Sequence, residues 1–313
     1  RALFQRGASF SAALAFMFAS TNLVIELGIL IYIFLGWQYV VAELIGGIIL
    51  IGISTVLARY FMPQGWIEGA RKRLEEGQFE LEDEFDWRQR IRSKKGWGIV
   101  VDKFAMEWQM AWEDVVIGFT IAGFMSALVP DSFWSGLFLV DIDTDPQTWW
   151  VLLENALVAP LVAASTFIGS MGNIPLATVL AGSGVGFAGI MAFIYSDLVV
   201  PPLVNINRKY YGWKIALGIV AIMYVSIVIT ALVMNVGVVQ LVGTPEVKRT
   251  VAEMTRFKID YSFWLNVIFG GLFFGLWGLF IFRNGIQHGK MTFKRGVVYL
   301  CFALVVAGLI LSF

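Results

Sequence analysis

Apolar runs about as long as a bilayer is thick recur along the whole of this chain. A membrane's hydrocarbon core asks for about 20 helical residues. Runs of that order lie at about 10–35, 38–61, 113–129, 149–168, 184–204, 213–235, 263–282 and 296–313. In lipid every backbone polar group must be satisfied within the protein, which helices do segment by segment. The runs therefore predict an all-α polytopic membrane protein with about eight transmembrane segments. Composition agrees: 58% of the 313 residues are hydrophobic and 15% are charged, where soluble domains carry about 25% charge. The 12 Trp suit anchoring at the interfaces. Net charge is zero, so no nucleic-acid partner is expected; the expected partner is the lipid bilayer. Cys301 is the single cysteine, which excludes an intrachain disulfide. No signal peptide is visible, and the pattern is already under way at Arg1, so further residues are expected before it.

One segment breaks the apolar rhythm. Between Met62 and Glu107, basic residues from Arg71 to Lys95 alternate with acids from Glu75 to Asp86. This predicts a solvated, partly helical loop. Gly96–Val116 is amphipathic and Trp-rich, and is expected to lie in the interface before turning into the membrane. Cytoplasmic loops carry an excess of Lys and Arg. That rule puts 62–112 and 283–295 in the cytoplasm of a bacterial inner membrane, together with the Asn207-Arg208-Lys209 corner. The loop 130–148, with four Asp and no Lys or Arg, goes outside.

This orientation leaves one difficulty. The fourth run descends from outside, and the fifth must descend too if Arg208 is to be inside. The stretch between them holds Gly172-Asn173-Ile174-Pro175. A broken or re-entrant helix around 169–183 meets both demands, since irregular backbone at membrane depth survives only beside protein or a water-filled cavity.

The start of the chain resembles its middle. Gly7-Ala8-Ser9-Phe10 matches Gly184-Val185-Gly186-Phe187, Ala15-Phe16 matches Ala192-Phe193, and Gly36-Trp37 matches Gly212-Trp213. Ser20-Thr21 falls near Ser196-Asp197. The charge rule runs the first copy outward and the second inward, so the copies form an inverted-topology repeat. Many secondary transporters are built this way, with the site between the copies near the midplane. The expected layout is a first repeat at 1–61, the charged loop and interfacial helix at 62–112, and connecting spans at 113–168. A second repeat follows at 169–235, then a loop and C-terminal spans at 236–313. The counterpart of Gly172–Pro175 is expected before Arg1.

Two stretches carry a family resemblance: ALFQRGASFSAALAFMFAS in the first copy and GSMGNIPLATVLAGSGVGFAGIMAFIYSDLVVPPLVNINRKYYG in the second. They resemble the predicted-permease family that includes the ArsP-type trivalent organoarsenical efflux permeases. The resemblance covers about a third of the chain directly, and the layout of runs elsewhere agrees with it. It implies a permease. In the organoarsenical members the motif before the Pro typically carries cysteines, which suit a soft metalloid. Here Ser170, Met171, Gly172 and Asn173 occupy those positions. The departure implies a different branch with an unassigned substrate.

Five residues stand out as a candidate solute or ion pathway: Asn22, Glu26, Asn173, Pro175 and Asp197. Asp197 follows an apolar helix and precedes Pro201-Pro202. A carboxylate buried there suits proton coupling or cation binding; the structural alternative is a cap, or a pair with Arg208. Glu26 is central in the first run, with Asn22 one turn earlier on the same face. An uncompensated carboxylate there costs about 2.5–3.5 kcal/mol on insertion scales, so Glu26 is expected to face the bundle interior. Asn173 and Pro175 are the expected helix break, whose freed backbone groups could bind an ion; a kink for packing is the alternative. Gly182, Gly184, Gly186 and Gly189 read first as packing positions. Glu43, early in the second run, and Glu154 with Asn155 read first as structural.

Enzyme chemistry is not expected. His288 is the only histidine and sits in a basic loop, so no nucleophile, base and orienter can be assembled. No cluster has zinc-ligand spacing, no cofactor is implied, and no GxxxxGK[ST] motif provides for ATP. The expected function is a secondary-transporter-like permease that moves a small solute or ion by alternating access. The alternative is a non-transporting integral subunit that docks on a larger membrane complex through 62–107 and the Trp-rich 96–113 stretch. A protein partner or a homo-oligomer is compatible with either.

Overall fold

A computed structural model describes residues 2–76, 92–140, 148–166, 170–243, 245, 261–285, 296, 298–300 and 303. The described residues are helical, with short turns and no strand among them. They fall into two compact units. The first holds residues 1–80 and 121–251, and the second holds 81–120 and 252–313.

The first unit opens with α1 (Ala2–Gln5), α2 (Phe10–Asn22), α3 (Ile25–Phe34) and α4 (Trp37–Phe61). Ser9 caps α2, its hydroxyl accepting from the Ala12 amide at 3.1 Å. Near the other end, Ser20 and Thr21 hydroxyls donate back to the Met17 carbonyl. Such side chains compete with the helix ladder, and α2 ends there. α2 and α3 form one apolar segment bent by 42°. Gly36, at φ 105°, then makes a turn that an L side chain rarely adopts. α5 (Gln64–Glu76) follows α4.

After α7 (Asp131–Leu137), the second half of this unit holds α8 (Trp149–Thr166), α9 (Ser170–Gly182) and α10 (Phe187–Ile194). The 3₁₀ turn Tyr195–Leu198 leads into α11 (Pro201–Tyr211) and then α12 (Trp213–Val242). Phe187–Leu198 and Leu203–Tyr211 form a second bent pair, at 41°. Gly212, at φ 87°, starts the long helix after it. The two sequence copies thus share one local structure. Each has a glycine of positive φ (Gly7, Gly184), a bent apolar pair, a second such glycine (Gly36, Gly212), and a long helix opening on an exposed Trp (Trp37, Trp213).

The core of the unit lies where α10 packs on α8 and α12, and where α4 packs on α2 and α12. Every residue of α10 is buried, as is the 3₁₀ turn that follows.

In the second unit, α6 (Lys94–Leu128, through Thr120) packs on α13 (Tyr261–Asn284). Phe104 and Trp108 meet the Phe273 ring at centroid distances of 5.6 and 4.7 Å. Asp102 accepts from Asn284 at 2.9 Å and pairs with Arg283 at 3.6 Å. Contacts that move up α6 move down α13, so the two helices are antiparallel.

Among the described residues, four helices are long and apolar enough to cross a membrane: Trp37–Phe61, Trp149–Thr166, Trp213–Val239 and Phe263–Asn284. Counting each bent pair as one span makes six. The all-α polytopic membrane architecture stands. Of the eight expected runs, 113–129 is the end of α6, whose apolar part is only Val116–Met125. The run 296–313 lies almost wholly outside the described residues.

Two expectations are corrected here. The expected turn from an interfacial helix into the third run is replaced by one 35-residue helix, α6, with no proline within it. The break is also not at Asn173–Pro175. Both residues lie inside α9, where Pro175 forgoes one early ladder bond and the helix continues to Gly182. Residues 167–169, just before α9, are outside the described residues, as are His288 and Cys301.

Candidate functional site

The α4 face made by Tyr39, Ala42, Glu43, Gly46, Gly47 and Leu50 is buried. These positions recur at the three- and four-residue spacing of one helix face. Glu43 is 2% exposed, and neither carboxylate oxygen has a hydrogen-bond partner among the described residues.

Against this face comes the 3₁₀ turn of the second copy. The Tyr195 hydroxyl donates to the Ala42 carbonyl at 2.8 Å. Gly46 makes room for it: a Cβ there would fall on the hydroxyl, 2.8 Å from Cζ and 3.0 Å from Met234 Cγ. Gly47, the next residue, admits the end of α2, where a Cβ would lie 2.7 Å from Leu23 Cδ2. Asp197 is 4% exposed in the same turn, and its Oδ1 has no partner among the described residues. The Leu198 amide reaches its carboxyl group. Glu43 adjoins Ala42, whose carbonyl accepts from Tyr195, so both acids belong to the same helix–turn contact. Ser196 is held by a bond from its hydroxyl to the Ala192 carbonyl.

Two buried carboxylates without a counter-charge among the described residues therefore lie in one interior, one from each sequence copy. As two anions they are costly there, and a bound proton or cation relieves the cost. Among the described residues no group of three or more His, Cys, Asp or Glu could hold a metal ion.

The other candidates are distributed differently. Asn22 is 2% exposed at the end of α2, and its Oδ1 accepts from Thr21 at 2.9 Å. The α2 helix packs against the 3₁₀ turn that carries Asp197. Asn173 is fully buried on α9; Thr166 donates to its Oδ1 at 3.5 Å, and its amide nitrogen has no partner among the described residues. Pro175 is buried two residues on. Since α9 packs on α10 and α3, these two are neighbours of the bent pairs.

Glu26 is the clear correction. It is exposed in the first turn of α3, not buried in mid-helix. The chain bends between Asn22 and Ile25, so Asn22 and Glu26 do not share a helix face. A negative charge is well placed in a first turn, beside the free amides. Asp197 neither caps a helix nor pairs with Arg208, whose guanidinium lies 5.3 Å from the Trp213 ring. Glu43 is the residue that sequence reasoning passed over. Its signal was the Gly46-Gly47 pair at i+3 and i+4, which marks the acid's own face as one of close approach. Asn155 behaves structurally, donating to the Phe138 and Val151 carbonyls at 3.0 and 2.7 Å.

The family described as predicted permease (ArsP_1) matches residues 1–236, which contain both bent pairs and both acids. A protein of Mycobacterium tuberculosis (strain ATCC 25618 / H37Rv), named "Putative permease Rv2963", is 35% identical over 305 residues. That match covers 93% of this chain and 73% of the mycobacterial one. No solved structure matches the chain. This polytopic helical membrane protein belongs to the predicted permease family.

Proposed function

We propose that this permease is a secondary transporter whose coupling site is the Glu43–Asp197 pair. The observation that carries the proposal is the burial of two acids with unsatisfied oxygens, one per sequence copy, beside the Tyr195–Ala42 contact where the copies meet. Ionisable residues inside a membrane bundle usually mark ion or substrate pathways. Binding a proton or a cation removes the electrostatic penalty of the pair, so occupancy changes the stability of this interface. A conformational change driven in this way is alternating access in its simplest form.

The inverted arrangement of the copies, 1–61 against 169–235, is part of the same proposal. It rests on the charge pattern: the basic residues around Arg71, Arg208 and Arg283 share one side, and the acidic 130–148 loop the other. The location proposed with it is a bacterial inner membrane, with the basic loops in the cytoplasm. Asn22, next to the turn that bears Asp197, and Asn173 with Pro175 on α9 are proposed to line the route of a small solute or ion.

The test is flux in reconstituted proteoliposomes loaded with a pH-sensitive dye and challenged with a panel of small solutes. Solute-dependent proton or cation movement is expected, and Glu43→Gln and Asp197→Asn should each lower it at least tenfold. If both variants retain flux and its pH dependence, the coupling assignment is wrong. If the wild type moves no solute and purifies with a fixed protein partner, the non-transporting subunit is the better reading.

A further inference from the structure

A second polar site lies away from the acid pair. A pocket of about 430 Å³ opens where the start of α2, the end of α4 and the start of α5 meet. Arg59, in the last turn of α4, and Arg71, on α5, line it together with Ser9, Ser11 and Gln64. Phe10, Met62 and Ile67 add apolar wall.

Arg71 is fixed in advance. Its Nη2 donates to the Ala8 carbonyl at 2.9 Å, and its guanidinium stacks 4.7 Å from the Phe4 ring centroid. That geometry uses one of five N–H donors. Arg59 has no partner among the described residues and lies on a different helix, α4. Glu68 is the acid in the lining. Two arginines against one carboxylate leave the wall one positive charge in excess. The first amides of α2 add donors, since the leading N–H groups of a helix have no intrahelical acceptor. The Ala12 amide is taken by the Ser9 hydroxyl and the Ala13 amide by the Ser9 carbonyl, which leaves the Phe10 and Ser11 amides as the donors at this end. A planar fork such as Arg71 suits a phosphate's oxygens, and a single excess charge suits a monoanion. The mixed polar and apolar wall suits an amphiphile.

We propose that this pocket binds a monoanionic phosphate group, as a phosphodiester carries it. Two sources share that chemistry: the headgroup of an anionic phospholipid and a soluble phosphate compound. The pocket lies beside exposed Trp66 on α5, and such a residue favours the interface of a bilayer.

Native mass spectrometry of the full chain tests the binding, with phosphatidylglycerol and phosphatidylcholine offered in equal amounts. The wild type should retain phosphatidylglycerol several-fold over phosphatidylcholine. Arg59→Gln should erase that preference and Glu68→Gln should strengthen it. Lys72→Gln, which removes a nearby exposed charge outside the pocket, should leave it unchanged. In parallel, inorganic phosphate at millimolar concentration should raise the melting temperature of lipid-free protein if the source is soluble, and that rise should vanish in Arg59→Gln. Unaltered melting of the variants without ligand shows that they fold. Equal retention by wild type and Arg59→Gln, with no phosphate-dependent stabilisation, overturns the proposal. So does an equal loss in Lys72→Gln, which would reduce the effect to general surface charge.

Discussion

The Tyr195 hydroxyl donates a 2.8 Å hydrogen bond to the Ala42 carbonyl, joining two residues 153 positions apart. The contact pins the buried turn of the second copy, which carries Asp197, to the inward face of α4, which carries Glu43. Removing the hydroxyl in Tyr195→Phe should cost about 1 kcal/mol, the usual net worth of such a bond. Thermal unfolding in detergent should show a drop of a few degrees. No change would mean that the ring alone holds the turn.

Gly46 depends on the same ring. In Gly46→Ala the new methyl falls on the Tyr195 hydroxyl, with Met234 closing the other side. Overpacking of a filled interior costs about 1–3 kcal/mol. Because the colliding atom is the hydroxyl, Tyr195→Phe should recover part of the loss. A double-mutant cycle should therefore give an interaction of at least about 0.5 kcal/mol. Strict additivity would show that the two residues do not touch.

Glu43→Gln and Asp197→Asn should separate stability from transport. Each replaces a buried, unpaired carboxylate with a neutral group of nearly equal size, so neither should destabilise the fold, and removal of an uncompensated charge can stabilise it. Flux should nonetheless fall at least tenfold in each. The double variant should be no worse than the singles if the two acids act as one site. Melting temperature and flux, measured on the same preparations, check both halves.

Much of this was legible in the sequence because it is local. Run length gave the helices, and the Gly-Trp corners marked where α4 and α12 begin. Asp197 was recognisable as an acid in an apolar neighbourhood. What sequence could not convey was which acid faces it. Glu26 is nearer the centre of its apolar run than Glu43, and run position outweighed the Gly46-Gly47 signal on the face of Glu43. The deciding facts are the bend between Asn22 and Ile25, which turns Glu26 outward, and the Gly46-Gly47 notch, which turns Glu43 toward the second copy. Both are effects of packing between distant segments. Pro175 misled for the opposite reason: close to a helix start, a proline costs one ladder bond and the neighbouring helices can hold the rest in place.

Glu26 offers a direct comparison between those two acids. It is exposed at the start of α3, so Glu26→Gln should change stability by less than about 0.5 kcal/mol. Flux should stay within twofold of wild type, in contrast with Glu43→Gln assayed alongside. A loss of flux equal to that of Glu43→Gln would return Glu26 to the pathway and would count against the acid pair as the sole coupling site.

The glycines of the second copy separate by what surrounds them. A Cβ on Gly182 or Gly186 would meet nothing within 4 Å, whereas one on Gly189 would lie 2.8 Å from Val185 Cγ1 and 3.1 Å from Asn155 Oδ1. Asn155 cannot simply step aside, because its amide nitrogen is tied to both the Phe138 and Val151 carbonyls. Gly189→Ala should therefore push α10 from α8 and cost about 1–3 kcal/mol. Gly237→Ala, within α12 and also free of neighbours within 4 Å, should be neutral or stabilising by up to about 1 kcal/mol through helix propensity. Because α10 leads directly into the turn that carries Tyr195 and Asp197, Gly189→Ala should also reduce flux, although it touches neither acid. Melting temperatures of the two alanine variants, read by intrinsic Trp fluorescence, decide the packing half. A Gly189→Ala variant that is as stable and as active as wild type would show that the α8–α10 contact is looser than 3.1 Å and does not position the acids.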